Sequence, residues 1–186
     1  MSSLELDYQD LLKRHRKKLL FDAEEIQFQT PTEGLDREAL QRILPHREPF
    51  LLIDRLEGVD IEEGTILGKK FLEPKLPLFK GHFPDYPVYP GSLGVEAIGQ
   101  LGLCLYYFIQ NNTTSPPAPG TLAPPLSIRA TRIIGAYFLH PMLPGKELTI
   151  LSKRIEYDGF FATALGQIIS EGKICCVSAG EVLFLD

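Results

Sequence analysis

From Ser92 to about Gln110 the chain is apolar at nearly every turn: Val95, Ala97, Ile98, Leu101, Leu103, Cys104, Leu105, Tyr106, Tyr107, Phe108 and Ile109. A helix with almost no polar face has to be buried, in protein or in lipid. At about 19 residues it reaches ~28 Å, long enough for a bilayer. Glu96 and Gln100 near its start, and four glycines between Gly91 and Gly102, argue against a membrane span. The helix therefore needs a protein shell. Alternating, β-rich segments are available to build one: Pro49 to Leu56 and Gly64 to Leu72 as an antiparallel pair, then Leu126 to Gly135, Lys146 to Tyr157, Phe160 to Ile169 and Lys173 to Leu185. The expected class is α+β, a curved antiparallel sheet wrapped around one long helix, with glycines permitting close approach.

The rest of the chain is organised around that core. Residues 4 to 21 read as an amphipathic helix, with Leu4, Tyr8, Leu11, Leu12, Leu19 and Leu20 on one side and Lys13, Arg14, Arg16, Lys17 and Lys18 on the other. Such a helix can dock on a membrane or an acidic partner; an ordinary solvated face has the same appearance. A short helix is expected over Asp36 to Ile43 and a surface loop over Asn111 to Pro125. The 186 residues suit one domain at 36–186 with an N-terminal helical extension at 1–35. A net charge of -5 argues against nucleic acid as the partner. The first ten residues include Glu5, Asp7 and Asp10, followed by a basic helix, so no signal peptide is expected. Cys104, Cys175 and Cys176 fit neither a disulfide framework nor a zinc site, which favours reduced thiols and a cytoplasmic location.

The segment running into the central helix, Gly81-His82-Phe83-Pro84-Asp85-Tyr86-Pro87-Val88-Tyr89-Pro90-Gly91-Ser92, carries the chemistry. Proline fixes its own φ and pushes the preceding residue into an extended shape, so His82 is placed rather than floppy. Histidine titrates near neutrality and can serve as a general base. Glu96 follows the Gly91-Ser92 N-cap signal by one turn in apolar surroundings, where burial raises a carboxyl pKa and favours a proton-donating form. The helix N-terminus offers free N–H groups to a developing oxyanion. Removal of a proton next to a carbonyl, with departure of a β-hydroxyl, uses all three and asks for no metal or cofactor. Plainer readings stand beside this one. A lone loop histidine is often structural, and a helical glutamate is often a surface charge. His15 reads as solvated, His46 and His140 as turn residues.

Gly81-His82-Phe83-Pro84 with Pro87, Pro90-Gly91 and Glu96-Ala97 resembles the active-site segment of the 3-hydroxyacyl-[acyl-carrier-protein] dehydratases of FabA/FabZ type. The stretch from Leu44 to Arg55, Leu-Pro-His-Arg-Glu-Pro-Phe-Leu-Leu-Ile-Asp-Arg, resembles the family's N-terminal signature, especially in the FabZ branch. The segment from Pro90 to Ala97, with Gln100-Leu101, is more similar to the FabA branch and to dehydratase domains of polyunsaturated-fatty-acid synthases. The resemblance covers roughly residues 36 to 186. It implies a hot-dog fold and a homodimer, or a higher oligomer of dimers, with each site at the interface. His82 would then take the α-proton of a (3R)-3-hydroxyacyl thioester, and the partner's Glu96 would protonate the leaving hydroxyl to give the trans-2-enoyl product. The Gly91 N–H would polarise the thioester carbonyl, Gln100 would orient the acid, and Phe83 and Ser92 would line the substrate site. Glu at 96 matches the FabZ branch, where the FabA branch has Asp, which speaks against double-bond isomerisation. Tyr86 and Tyr89 would narrow the acyl tunnel.

The implied partner is an acidic acyl carrier protein with a phosphopantetheine-linked chain, and a net-acidic enzyme needs a local basic patch to receive it. Lys80 and Arg132 are the expected docking residues, with Lys153 and Arg154 in reserve. Arg129 and Arg132, at odd spacing on a strand, are expected on opposite faces. A non-catalytic acyl-binding hot-dog subunit and a hot-dog thioesterase are the competing functions.

Overall fold

The computed structural model describes residues 7–22, 35–121 and 128–185. In chain order the elements are α1 (Tyr8–His15), α2 (Arg37–Ile43), β1 (Arg55–Asp60), β2 (Thr65–Phe71), a single 3₁₀ turn (Pro77–Lys80), α3 (Gly91–Asn111), β3 (Ile128–Phe138), β4 (Glu147–Tyr157), β5 (Phe161–Ser170) and β6 (Lys173–Phe184). The strands form one antiparallel sheet in the order β1-β2-β4-β5-β6-β3. It is the hot-dog arrangement, with α3 as the filling. Ala97, Ile98, Leu101, Cys104, Leu105 and Phe108 of α3 pack with Ile66, Leu148, Ile150, Ile168 and Cys176 of the sheet. α3 is long and apolar enough to cross a membrane, yet 61% of its apolar window is buried inside the fold. At Gly166 on β5 any side chain would collide with Ile98, so glycine there lets helix and sheet meet closely.

Alternation over residues 165–168 of β5 and 176–179 of β6 gives the sheet a second, outer apolar face. Leu165, Val177 and Ala179 point away from α3 and bury Leu12 of α1 completely. Asp7 caps α1, accepting from Gln9 N (2.9 Å) and Asp10 N (3.1 Å). Tyr8 donates to Glu156 on β4. Gln167 of β5 donates to His15 O (2.6 Å) and Lys18 O (2.8 Å) and accepts from Leu20 N (2.7 Å), holding the turn after the helix. The expected helix over residues 4 to 21 is thus a helix of eight residues and a pinned turn; Leu4 lies outside the described residues.

Two further expectations change. Pro49 to Leu56 is not a strand until Arg55. Leu51, Leu52 and Ile53 are an extended core-filling run whose backbone is held from the side. Gln100 accepts from Leu52 N and donates to Phe50 O (both 2.9 Å), and Arg37 donates to Leu51 O (2.6 Å). An apolar run by its length alone cannot distinguish this from a strand. On β3, a bulge between Ala130 and Arg132 steps the pairing from Leu183 opposite Arg129 to Glu181 opposite Arg132. The extra residue resets the alternation, so the two arginines share a face instead of opposing each other. Leu126 lies outside the described residues, and β3 starts at Ile128.

Candidate active site

The loop between the 3₁₀ turn and α3 is tied together around His82. His82 O accepts from Val88 N (3.0 Å), and His82 Nδ1 stands 2.9 Å from Val88 O. A carbonyl can only accept, so Nδ1 carries the hydrogen and the neutral ring presents Nε2 as a lone pair. Phe83 stacks on the imidazole, with ring centroids 4.2 Å apart, and is itself 55% exposed. His82 lines a cavity of ≈ 490 Å³ with Tyr89, Pro90, Gly91, Ser92, Phe138 and His140 among its walls.

Gly91 opens α3 directly after Pro90. The expected Ser92 cap is absent: Pro90 occupies the N-cap position and Ser92 sits exposed inside the first turn. The first N–H groups of a helix have no intrahelical acceptor, and among the described residues Gly91 N finds none elsewhere. A Cβ at 91 would stand 2.5 Å from Phe138 Cδ1, so any other residue there would push that ring aside. Cys175 also lines the His82 cavity, and burial pushes its thiol pKa up.

Glu96 lies one turn into α3 in a different place. It lines a groove of ≈ 220 Å³ between α3 and strands β3, β5 and β6, with Val95, Gly99, Leu103, Arg132, Ile133 and Glu181 nearby. Its side chain is 37% exposed, so it is not the buried carboxyl that its apolar neighbours in sequence suggest. Gln100 Nε2 donates to Glu96 Oε1 at 2.9 Å, the orienting contact expected from the i, i+4 spacing. Gln100 is 1% exposed, and its amide is shared among Glu96, Phe50 and Leu52, leaving no donor for a substrate. His46 Nε2 stands 3.6 Å from the same Oε1. Both contacts fall on one oxygen, and Oε2 has no hydrogen bond or ion pair with any described residue. From sequence His46 reads as a turn residue. Its approach to Glu96 bridges 50 positions and leaves no periodic signal.

Within one chain, His82 and Glu96 line separate spaces, and Ser92 is common to both. Tyr89 is buried and lines the His82 cavity, with its hydroxyl pKa raised by burial and then by the charges of Asp54 and Glu96. Tyr86 is 59% exposed and borders neither space. Of the docking candidates, Lys80 is exposed beside the loop, but Arg132 is bound to Glu181 at 3.0 Å. Lys153 pairs with Glu63 (3.8 Å), and Arg154 donates to Glu62 O (3.4 Å).

The model of the FabA-like domain matches residues 44–176, from the segment held by Gln100 through α3 to β6. The chain belongs to the FabA-like family. Among its relatives is a 3-hydroxyacyl-[acyl-carrier-protein] dehydratase FabZ of Anoxybacillus flavithermus, 35% identical over 151 residues, covering 81% of this chain and 96% of that protein. The FabZ of Magnetococcus marinus is 36% identical, covering 78% and 88%. A structural neighbour, a dehydratase heterocomplex ApeI:P from Xenorhabdus doucetiae, superposes with a TM-score of 0.58 at 14% identity, covering 79% of this chain and 91% of that one. That likeness speaks to the hot-dog fold of the FabA-like chain.

Proposed function

We propose that this chain dehydrates 3-hydroxyacyl-[acyl-carrier-protein] to the trans-2-enoyl thioester in fatty acid or related lipid synthesis. The observation that carries the reading is the His82 lock. Val88 O holds Nδ1–H, and His82 lines one cavity with Gly91 and Ser92 at the start of α3. The relatives that carry the activity in their names match nearly their whole length. In the reaction, His82 Nε2 takes the proton from Cα as the thioester carbonyl gains negative charge. The Gly91 N–H and the positive end of α3 stabilise that charge. Glu96 passes a proton from Oε2 to the β-hydroxyl, the C–O bond breaks, and water leaves. One proton has gone to His82 and one has come from Glu96, so exchange with solvent resets the pair.

A homodimer makes these parts one site. β3 is an edge strand and exposes Ile133 (65%) and Phe138 (61%), apolar surface that a soluble monomer rarely leaves open. Pairing of two β3 edges would bring the groove holding Glu96 of one chain to the His82 cavity of its partner. We assign residues 36–186 as the catalytic unit and 1–35 as an extension to it; among the described residues, the burial of Leu12 on the outer face of the sheet supports this. Three free buried thiols favour the reducing cytoplasm. The test is product analysis on 3-hydroxyacyl thioesters of several lengths. Enoyl thioester and water are expected; release of free thiol would instead mark a thioesterase, and no turnover a binding subunit.

A further inference from the structure

A dense run of basic residues lies outside the site. Lys13, Arg14, Arg16, Lys17 and Lys18 are all exposed. Five of the chain's 19 Lys and Arg stand within these six positions, and all 24 Asp and Glu stand elsewhere. Lys13 reaches Asp10 at 3.6 Å; Arg14, Arg16, Lys17 and Lys18 have no ion pair with any described residue. The patch is rigid. Gln167, fully buried, bonds the carbonyls of His15 and Lys18, and the Arg16 guanidinium lies 4.8 Å from the centre of the Tyr137 ring.

Its place matters as much as its charge. Tyr137 and Gly135 of β3 carry α1 on the outer face, Gly135 with no room for a Cβ beside Leu12. Phe138, the next residue, is exposed on the other side of the strand and borders the open His82 cavity together with Leu139 and His140. Successive strand residues are ~3.3 Å apart and face opposite sides of the sheet, so the Arg16 end of the turn lies across β3 from a wall of the His82 cavity. A membrane is the poorer fit. An interfacial helix lies in lipid on its apolar side, whereas Tyr8, Leu11, Leu12 and Leu20 are already spent on the sheet, leaving Leu19 as the exposed apolar residue of the turn.

From these observations we infer that the basic turn after α1 receives the acidic carrier protein and holds it where its pantetheine arm can enter at His82. The inference rests on the dehydratase reading and replaces Arg132, whose charge Glu181 already neutralises. Arg14, Lys17 and Lys18 carry the field; Arg16 also packs on Tyr137 and is left intact in the test.

The experiment compares the full chain with the triple variant Arg14→Glu, Lys17→Glu, Lys18→Glu, and with the corresponding three Gln changes. Turnover is measured on a carrier-bound 3-hydroxyacyl substrate and on the matching small pantetheine thioester. Charge reversal is expected to lower kcat/KM for the carrier-bound substrate at least about tenfold at low salt, with the Gln variant intermediate and the small thioester unaffected. Raising ionic strength should bring parent and variants together on the carrier-bound substrate. Equal losses on both substrates, or none on either, would overturn the docking assignment. Calorimetric titration of the carrier protein into each chain provides a readout independent of catalysis. If the parent turns over neither substrate, the dehydratase reading fails, and charge-dependent carrier binding alone decides the docking claim. Loss of binding to anionic phosphatidylserine vesicles, with carrier binding unchanged, would assign the patch to a membrane and overturn it as well.

Discussion

At the scale of single residues, His82, Glu96, Gln100 and His46 have separate duties. His82→Ala removes the base, and Glu96→Gln removes the acid while keeping the hydrogen bond from Gln100. Each should lower kcat by roughly 10²–10⁴-fold with the far-ultraviolet circular dichroism unchanged; near-full turnover in either variant contradicts the assignment. His46→Ala tests the contact on Glu96 Oε1. It should reduce kcat more than KM and alter the pH profile of kcat, and His46→Gln should recover part of the loss through its side-chain N–H. A change confined to KM would make His46 a surface-shaping residue only. The proline-set histidine and the i, i+4 pair of Glu96 and Gln100 were legible because both are local. The His46 contact was not, since nothing in the turn after α2 encodes its meeting with α3. The exposure of Glu96 was equally hidden, because apolar sequence neighbours do not say which side of a helix the sheet leaves uncovered.

Elements follow the same division between local and long-range information. α3 could be read from its composition, and β2, β4, β5 and β6 from alternation within a residue or two of their ends. The run from Pro49 to Ile53 misled because buried extended chain and buried strand share one apolar signature, and its partner is the Gln100 amide instead of a neighbouring strand. The β3 bulge defeated simple parity for Arg129 and Arg132. α1 is held by packing, so Leu12→Ala should destabilise the fold by about 2–5 kcal/mol, measured by urea denaturation, and no change would show that the helix is not docked in solution. The turn also carries a pH dependence. Burial, aided by the charges of Arg14 and Lys18, holds the His15 pKa below its usual value. Above about pH 6.5 His15 is neutral in both folded and unfolded chains. As pH falls through that value the unfolded chain takes up the proton first, so stability drops until the folded imidazole is protonated too. His15→Gln should flatten that part of the stability curve; an unchanged slope between parent and variant would remove His15 as its source.

For the molecule as a whole, the central claim is that one folded chain holds two halves of different active sites. His82 with the α3 N-terminus borders one space and Glu96 the other, while the β3 edge and its exposed Ile133 and Phe138 stand ready for a second copy. The sequence signalled the family through its motifs, but the division between two spaces emerges only when α3 is seen threading past both. The most direct test mixes inactive His82→Ala chains with inactive Glu96→Gln chains under conditions of verified subunit exchange. If the site is shared, each heterodimer holds one intact and one doubly damaged site, and an equal mixture should regain about a quarter of the parent turnover. Activity that stays at the level of the separate variants after exchange would place the base and the acid in one chain and contradict the account.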